Sequence, residues 1–283
     1  MIDYPRGRWL PLTLVLRGTV LPRTLGWVFG LAAATVALRL YVTWAEIQLS
    51  VPPLAHSLIG VALGLLLVFR TNASYDRYWE GRKQWGGIVN ASRNLARAAS
   101  AYAGPAETLV PLIVAFPVAL KQHLRGERDL SALSATLPAP LYAELTASAN
   151  PPTHLAREMT RWIAARVESG ALDPQLARTL DAAVGALVDH QGACERIRKT
   201  PVPFAYVVHI RQLLLLYLLT LPFVLVQTLG VLAPVAVAFI AMGLMGIEEI
   251  GVEIEEPFGT DPNDLPIEAM CATIERDVVA LAG

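Results

Sequence analysis

The chain has 283 residues, of which 54% are hydrophobic and only 17% charged. Its mean hydropathy is +0.45, which is too oily for an ordinary soluble enzyme. The net charge of −1 points to neither nucleic acid nor an acidic partner.

Catalytic signatures are missing. Cys194 and Cys271 stand apart from any CxxC spacing, and the five histidines are scattered without an HExxH or His/carboxylate pattern. Neither a zinc site nor a disulfide framework is indicated. There is no P-loop, no GxGxxG opening a helix and no GxSxG elbow. The expectation is therefore a protein that is not an enzyme.

Residues 1–24 carry Arg6, Arg8, Arg17 and Arg23 and show no small-residue cleavage site behind a short apolar core. They read as a cytosolic N-terminal segment rather than a signal peptide. A bilayer-spanning helix needs roughly 20 mostly apolar residues. Leu25 to Ala45 meets that length with Arg39 as its only charge. Pro52 to Phe69 is a second, shorter candidate. Together they place transmembrane helices one and two within 25–75.

Residues 76–200 alternate helical periods with breaks at "GERD", "NPPTH" and "LDPQ" and read as a cytosolic helical bundle. From Gln212 through Ile247 no charged residue occurs, and "QTLG" offers a turn in the middle. That run predicts spans three and four within 201–249. Residues 250–283 form a cytosolic acidic C-terminal segment.

Orientation follows from lysine and arginine in the short flanks. Arginines precede the first span, Arg70, Arg77, Arg82 and Lys83 follow the second, and Arg196, Arg198 and Lys199 precede the third. The loop from Thr43 to Ser57 and the Gln227 turn have none. Both termini and the middle segment are thus expected in the cytoplasm, with the chain crossing the membrane four times.

The second span repays a closer look. Val61, Leu65 and Phe69 recur every four residues and share one stripe of the helix. Gly60 and Gly64 form a small-xxx-small pair that would let a neighbouring helix approach. Leu67 reads as lipid-facing. No proline follows until Pro105, so the helix is expected to run on past Phe69, with Tyr75, Tyr78, Trp79 and Arg82 on one face as an interfacial belt. Arg39, and His209 with Arg211, are expected to snorkel to the cytosolic edge.

After the fourth span comes "GIEEIGVEIEEPFGTDPNDLPIEAM", residues 246–270. Glu249, Glu253 and Glu256 lie on one helical face, and Asp261 and Asp264 follow in a loop. Such clustered oxygens suit calcium or a ring that concentrates cations. The alternative is an acidic helix end pairing with the arginines at 70–82.

"FRTNASYDRYWEGRKQWGGIVNASRNLAR" after the second span and "IGVEIEEPFGTDPNDLP" after the fourth resemble the bestrophin family in its bacterial branch. Order, length and four-span plan match over essentially the whole chain. The resemblance implies an all-α membrane protein with four transmembrane helices per subunit and a cytosolic helical bundle. It further implies a homopentamer around one axial pore that conducts small inorganic ions. Aligned on "SYDRYW", the family's hydrophobic neck falls on Val61, Leu65 and Phe69. A second, cytosolic aperture would fall at Leu176 or Leu180.

Animal members hold calcium just after "PFG". Asp261 and Asp264 match acidic positions there, with Glu256 just before the tripeptide as a third candidate ligand, whereas Thr260, Pro262 and Asn263 depart from the family's dense acidic run and weaken the case for calcium gating. No cofactor is required. The acids near the exit tilt the expected selectivity slightly toward monovalent cations, with chloride the alternative. A secondary transporter or anion exporter using Arg39, His209 and Arg211 at the midplane is the competing reading.

Overall fold

The computed structural model describes residue 13 and residues 15–48 and 51–282; Arg6 and Arg8 lie outside the described residues. Among the described residues every regular element is helical. In chain order these are α1 (Leu21–Trp44), α2 (Pro53–Tyr102), α3 (Val110–Arg125), α4 (Ala139–Ala147), α5 (Pro151–Glu168), α6 (Pro174–Lys199), α7 (Phe204–Leu229), α8 (Ala233–Glu253) and α9 (Ile267–Ala282). Two 3-10 turns, Ser131–Leu133 and Gly230–Leu232, complete the set. Among the described residues, three stretches are long and apolar enough to cross a membrane: Leu21–Trp44, Pro53–Tyr102 and Phe204–Glu253, the last containing α7, its turn and α8.

The expected continuation of the second span is present in full. α2 is 50 residues of unbroken helix, roughly 75 Å at 1.5 Å per residue. It ends just before Gly104, at φ 72°, and Pro105. The breaks seen in the sequence turn out to be helix caps. Gly126 closes α3 in the left-handed conformation. The Asn150 side chain accepts from Thr153 N at the start of α5, and Asp173 accepts from Gln175 N at the start of α6, each with proline in the first turn. The turn after "QTLG" rests on Gly230 at φ 54°, ψ −119°, a backbone region that side chains rarely enter.

The chain divides into two units by its internal contacts. The first comprises residues 1–78, 201–256 and 261–263. Its core joins Val28 and Leu31 of α1, Leu63 and Leu67 of α2, Ile210, Leu214, Leu218 and Leu221 of α7, and Val237 and Ala241 of α8. The spacings of three, four and seven are those of single helix faces. Leu67, read above as lipid-facing, is 1% exposed; it belongs to this packed face, not to the lipid. Small residues such as Ala233, Val237 and Ala241 let α8 run close to α1 and α7.

The second unit holds residues 79–200, 257–260 and 264–283. α3 is its centre, packed against α5, α6 and α9, with Ile113, Phe116 and Leu120 fully enclosed. α5 turns Leu155, Met159 and Ile163 inward. The second half of α2 adds Trp85, Ile88 and Leu95 to the buried set.

Candidate pore helix and its ionic anchor

On α2, the buried residues Leu63, Leu67, Arg70 and Ser74 follow a 4-3-4 spacing and define one face. At about 100° per residue, the stripe Val61, Leu65, Phe69 lies roughly 170° away on the opposite side. The structure leaves that stripe open, with Val61, Leu65 and Phe69 74%, 56% and 56% exposed. Gly60 sits under the Tyr217 ring of α7: a methyl placed there would lie 2.8 Å from the Tyr217 hydroxyl. Tyr217 in turn stacks on His56 at 4.2 Å. Gly64, the other half of the pair, has open space where a Cβ would go.

Immediately after Phe69, Arg70 turns inward and is 1% exposed. Its Nη2 pairs with Glu255 at 3.2 Å and its Nε lies 3.7 Å from Glu248. Glu248 also accepts from Arg211 Nε at 2.9 Å. Glu255 accepts from the Val202 backbone N–H at 3.2 Å, and its carbonyl accepts from Arg77 Nε at 3.1 Å. Arg70 is thus enclosed with two acids, while the half-exposed Arg211 closes the cluster from outside; an uncompensated charge inside it would be costly. Pairing of the acidic helix end with the arginines at 70–82 was one of the two sequence readings and is found here; the burial of Arg70 was not foreseen. The available signal was its register: Arg70 continues the 63–67–74 face, not the 61–65–69 stripe.

Several acids at and after the end of α8 are engaged as well. Arg23 of α1 reaches Glu249 at 3.2 Å, Glu253 at 3.6 Å and Asp261 at 3.3 Å. Asn263 donates to Glu253 at 2.8 Å. Asp264 is 4% exposed, while Glu256 is exposed beyond the end of α8. Among the described residues, the one set of three His, Cys or acidic ligand atoms close enough to share an ion is Glu144, His154 and Glu158. Arg157 already reaches all three of its members.

Arg39 corrects another expectation. Its guanidinium lies beside Gly230, at the turn between α7 and α8, at the opposite end of the bundle from Arg23 and Arg211. Residues 211 and 230 are separated by roughly 28 Å along helix α7, so Arg39 and Arg211 cannot share one midplane site. His209 is exposed. Of the two aperture candidates on α6, Leu180 is fully enclosed and Leu176 is 38% exposed. Cys194 and Cys271 are separate, buried thiols, and burial pushes both up to about 12, which leaves them unreactive at neutral pH.

The family described as Bacterial/Fungal Bestrophin protein matches residues 1–280. A voltage-dependent anion channel-forming protein of a Nostoc species is 40% identical, covering 96% of this chain and 91% of its own. One of that description from Ralstonia nicotianae is 39% identical over 100% of this chain and 95% of its own. The crystal structure of a bacterial bestrophin homologue from Klebsiella pneumoniae superposes with a TM-score of 0.84 at 32% identity, over 94% of this chain and 99% of that one. On sequence and fold together, the chain belongs to the bacterial bestrophin family.

Proposed function

We propose that this protein is a homopentameric ion channel of the bacterial inner membrane, with α2 lining one axial pore and small monovalent anions as its cargo. Residues 25–75 and 201–249 form four spans, counting α7 and α8 separately. Residues 76–200 and 250–283, with both termini, lie in the cytoplasm. The observation that carries the reading is the open apolar stripe Val61, Leu65, Phe69, diametrically opposite the packed face of α2. Five copies facing one axis would make three stacked rings, a neck that gates by wetting. Leu176, with its exposed side chain, is the better candidate for a second aperture.

The preference for anions rests on two supports. The relatives described above carry anion channel-forming names. Three of the acids that suggested a cation-concentrating ring, Glu249, Glu253 and Asp261, are engaged within the chain by Arg23. The same pairing of Asp261 with Arg23 speaks against calcium gating. Purified protein in a planar bilayer under a potassium chloride gradient should reverse toward the chloride potential. Leu65→Ala should raise conductance or open probability, and Leu216→Ala, on the exposed side of α7, should leave it unchanged. Reversal at the potassium potential would overturn the anion reading. Unchanged current in Leu65→Ala would remove the neck from this stripe, and a stable monomer or dimer by mass in mild detergent would exclude the pentamer.

A further inference from the structure

A groove of about 490 Å³ lies in the second unit between the second half of α2 and α6. Asn90, Asn94 and Arg97 enter it from α2, at a spacing of four and three that puts all three on one face. Thr179 and His190 enter from α6, and alanines of both helices keep the floor low. No carboxylate lines it. Arginine, asparagine and threonine between them offer a dense set of N–H and O–H donors.

These donors are idle. Arg93, one turn before Arg97 on the same helix, is paired with Asp277. Arg97 is exposed to the groove and, among the described residues, has no ion pair or hydrogen bond; the same holds for Asn90, Asn94 and Thr179. His190 is fixed by a relay: its Nδ1 donates to Gln84 Oε1 at 2.7 Å, and Gln84 Nε2 donates to Glu80 at 2.6 Å. That leaves Nε2 against Gly87 at the groove wall, where any larger side chain would collide with the imidazole.

We propose that this groove is a binding site for a partly hydrated, small monovalent inorganic anion, held by the Arg97 guanidinium and the amides of Asn90 and Asn94. One fixed positive charge, no competing acid and uncommitted neutral donors match a single negative charge. The volume, against about 30 Å³ for a water in the liquid, leaves room for an ion that keeps part of its shell. The site deepens the channel reading and rests on it: an anion resting on α2, beyond the neck, would raise the local concentration of the permeant species.

The test is chloride-35 NMR linewidth with the full chain in detergent, paired with bilayer current. The parent should broaden the chloride signal saturably. Arg97→Gln should abolish that broadening, as should Asn94→Asp, which places a carboxylate in the groove. Arg161→Gln, which removes an equal charge from α5, should preserve it, and Arg97→Lys should retain part of it. Broadening that survives both Arg97→Gln and Asn94→Asp, or that is absent from the parent, overturns the site. Parent current without Arg97-dependent broadening leaves the channel standing and the site refuted. Arg97-dependent broadening without anion current supports the site and removes the channel reading.

Discussion

The two halves of α2 carry two arginines that each reach an acid far along the chain, and they do so in opposite settings. Arg70 is sealed among Glu248 and Glu255 at 1% exposure, whereas Arg93 reaches Asp277 while 41% exposed. The difference tracks what each half must do. In the first half one face is committed to the bundle and the other stays apolar and open, so a charge has to be drawn into the packed side and neutralised there. In the second half a paired and an unpaired arginine, Arg93 and Arg97, sit one turn apart with both side chains open at the surface.

The largest effect should come from Arg70. Arg70→Met removes one partner from a buried cluster, leaving Glu255 without its guanidinium and Glu248 with Arg211 alone, a change that costs about 3–5 kcal/mol. Melting of the detergent-solubilised protein should drop sharply, and Glu255→Gln added to Arg70→Met should recover part of the loss. A melting temperature as insensitive as that of Arg93→Met would erase the contrast between the halves.

Next comes the contrast between faces. Leu67→Ala opens a cavity in a closed core and should cost about 2–5 kcal/mol. Leu65→Ala, two residues away on the open stripe, should stay within about 0.5 kcal/mol in the same assay while changing conductance. Equal destabilisation by both would mean that the stripe packs against something in the folded subunit.

Gly60 and Gly64 sharpen the point further. Gly60→Ala pushes the Tyr217 ring from its stack on His56 and should cost about 1–3 kcal/mol. Gly64→Ala meets open space within the chain and gains helix propensity. If Gly64→Ala nevertheless weakens the proposed pentamer on size-exclusion chromatography, Gly64 faces a neighbouring subunit.

Much of this was legible in the sequence, for identifiable reasons. Proline-free residues 54–104 forecast the length of α2, and "NPPTH" and "LDPQ" marked breaks, because both depend on local chemistry. The breaks were legible only as breaks, and their capping bonds appear with the structure; the stripe was legible as a stripe, since period is a local property. What period does not reveal is which face a partner will take. Leu67 was therefore assigned to lipid, and Arg70 was counted as a flank charge when it is a core residue. Arg39 failed for a related reason: its position in the span says how deep it sits, but the end it reaches is set by the glycine opening at residue 230, some 190 residues away. The acidic stretch was read correctly as a possible arginine partner, but its chief partner outside the α2 flank, Arg23, comes from α1.

The smallest effect belongs to the exposed pair. The Asp277 carboxyl is held below the ordinary aspartate range by the hydrogen bond from Arg93, then by that from Arg276. A depressed folded-state pKa means that the ionised form is the one the fold favours. Its stabilising contribution is therefore complete above the unfolded value, about 3.9, and is lost as pH falls through the lowered folded value. Glu268 follows the same sign: burial alone would raise it, but Arg125 and Lys121 outweigh burial and bring it down. Melting temperature should thus hold level from neutral pH to about pH 5 and decline below about pH 4. Asp277→Asn should lower the plateau slightly and flatten the acid decline, more so at low salt, because exposed pairs are screened. Arg70→Met should lower the whole profile by far more, at every salt concentration, since its partners are closed off from solvent ions. A plateau shift as large in Asp277→Asn as in Arg70→Met, or a salt dependence shared by both, would show that the two arginines of α2 sit in equivalent environments after all.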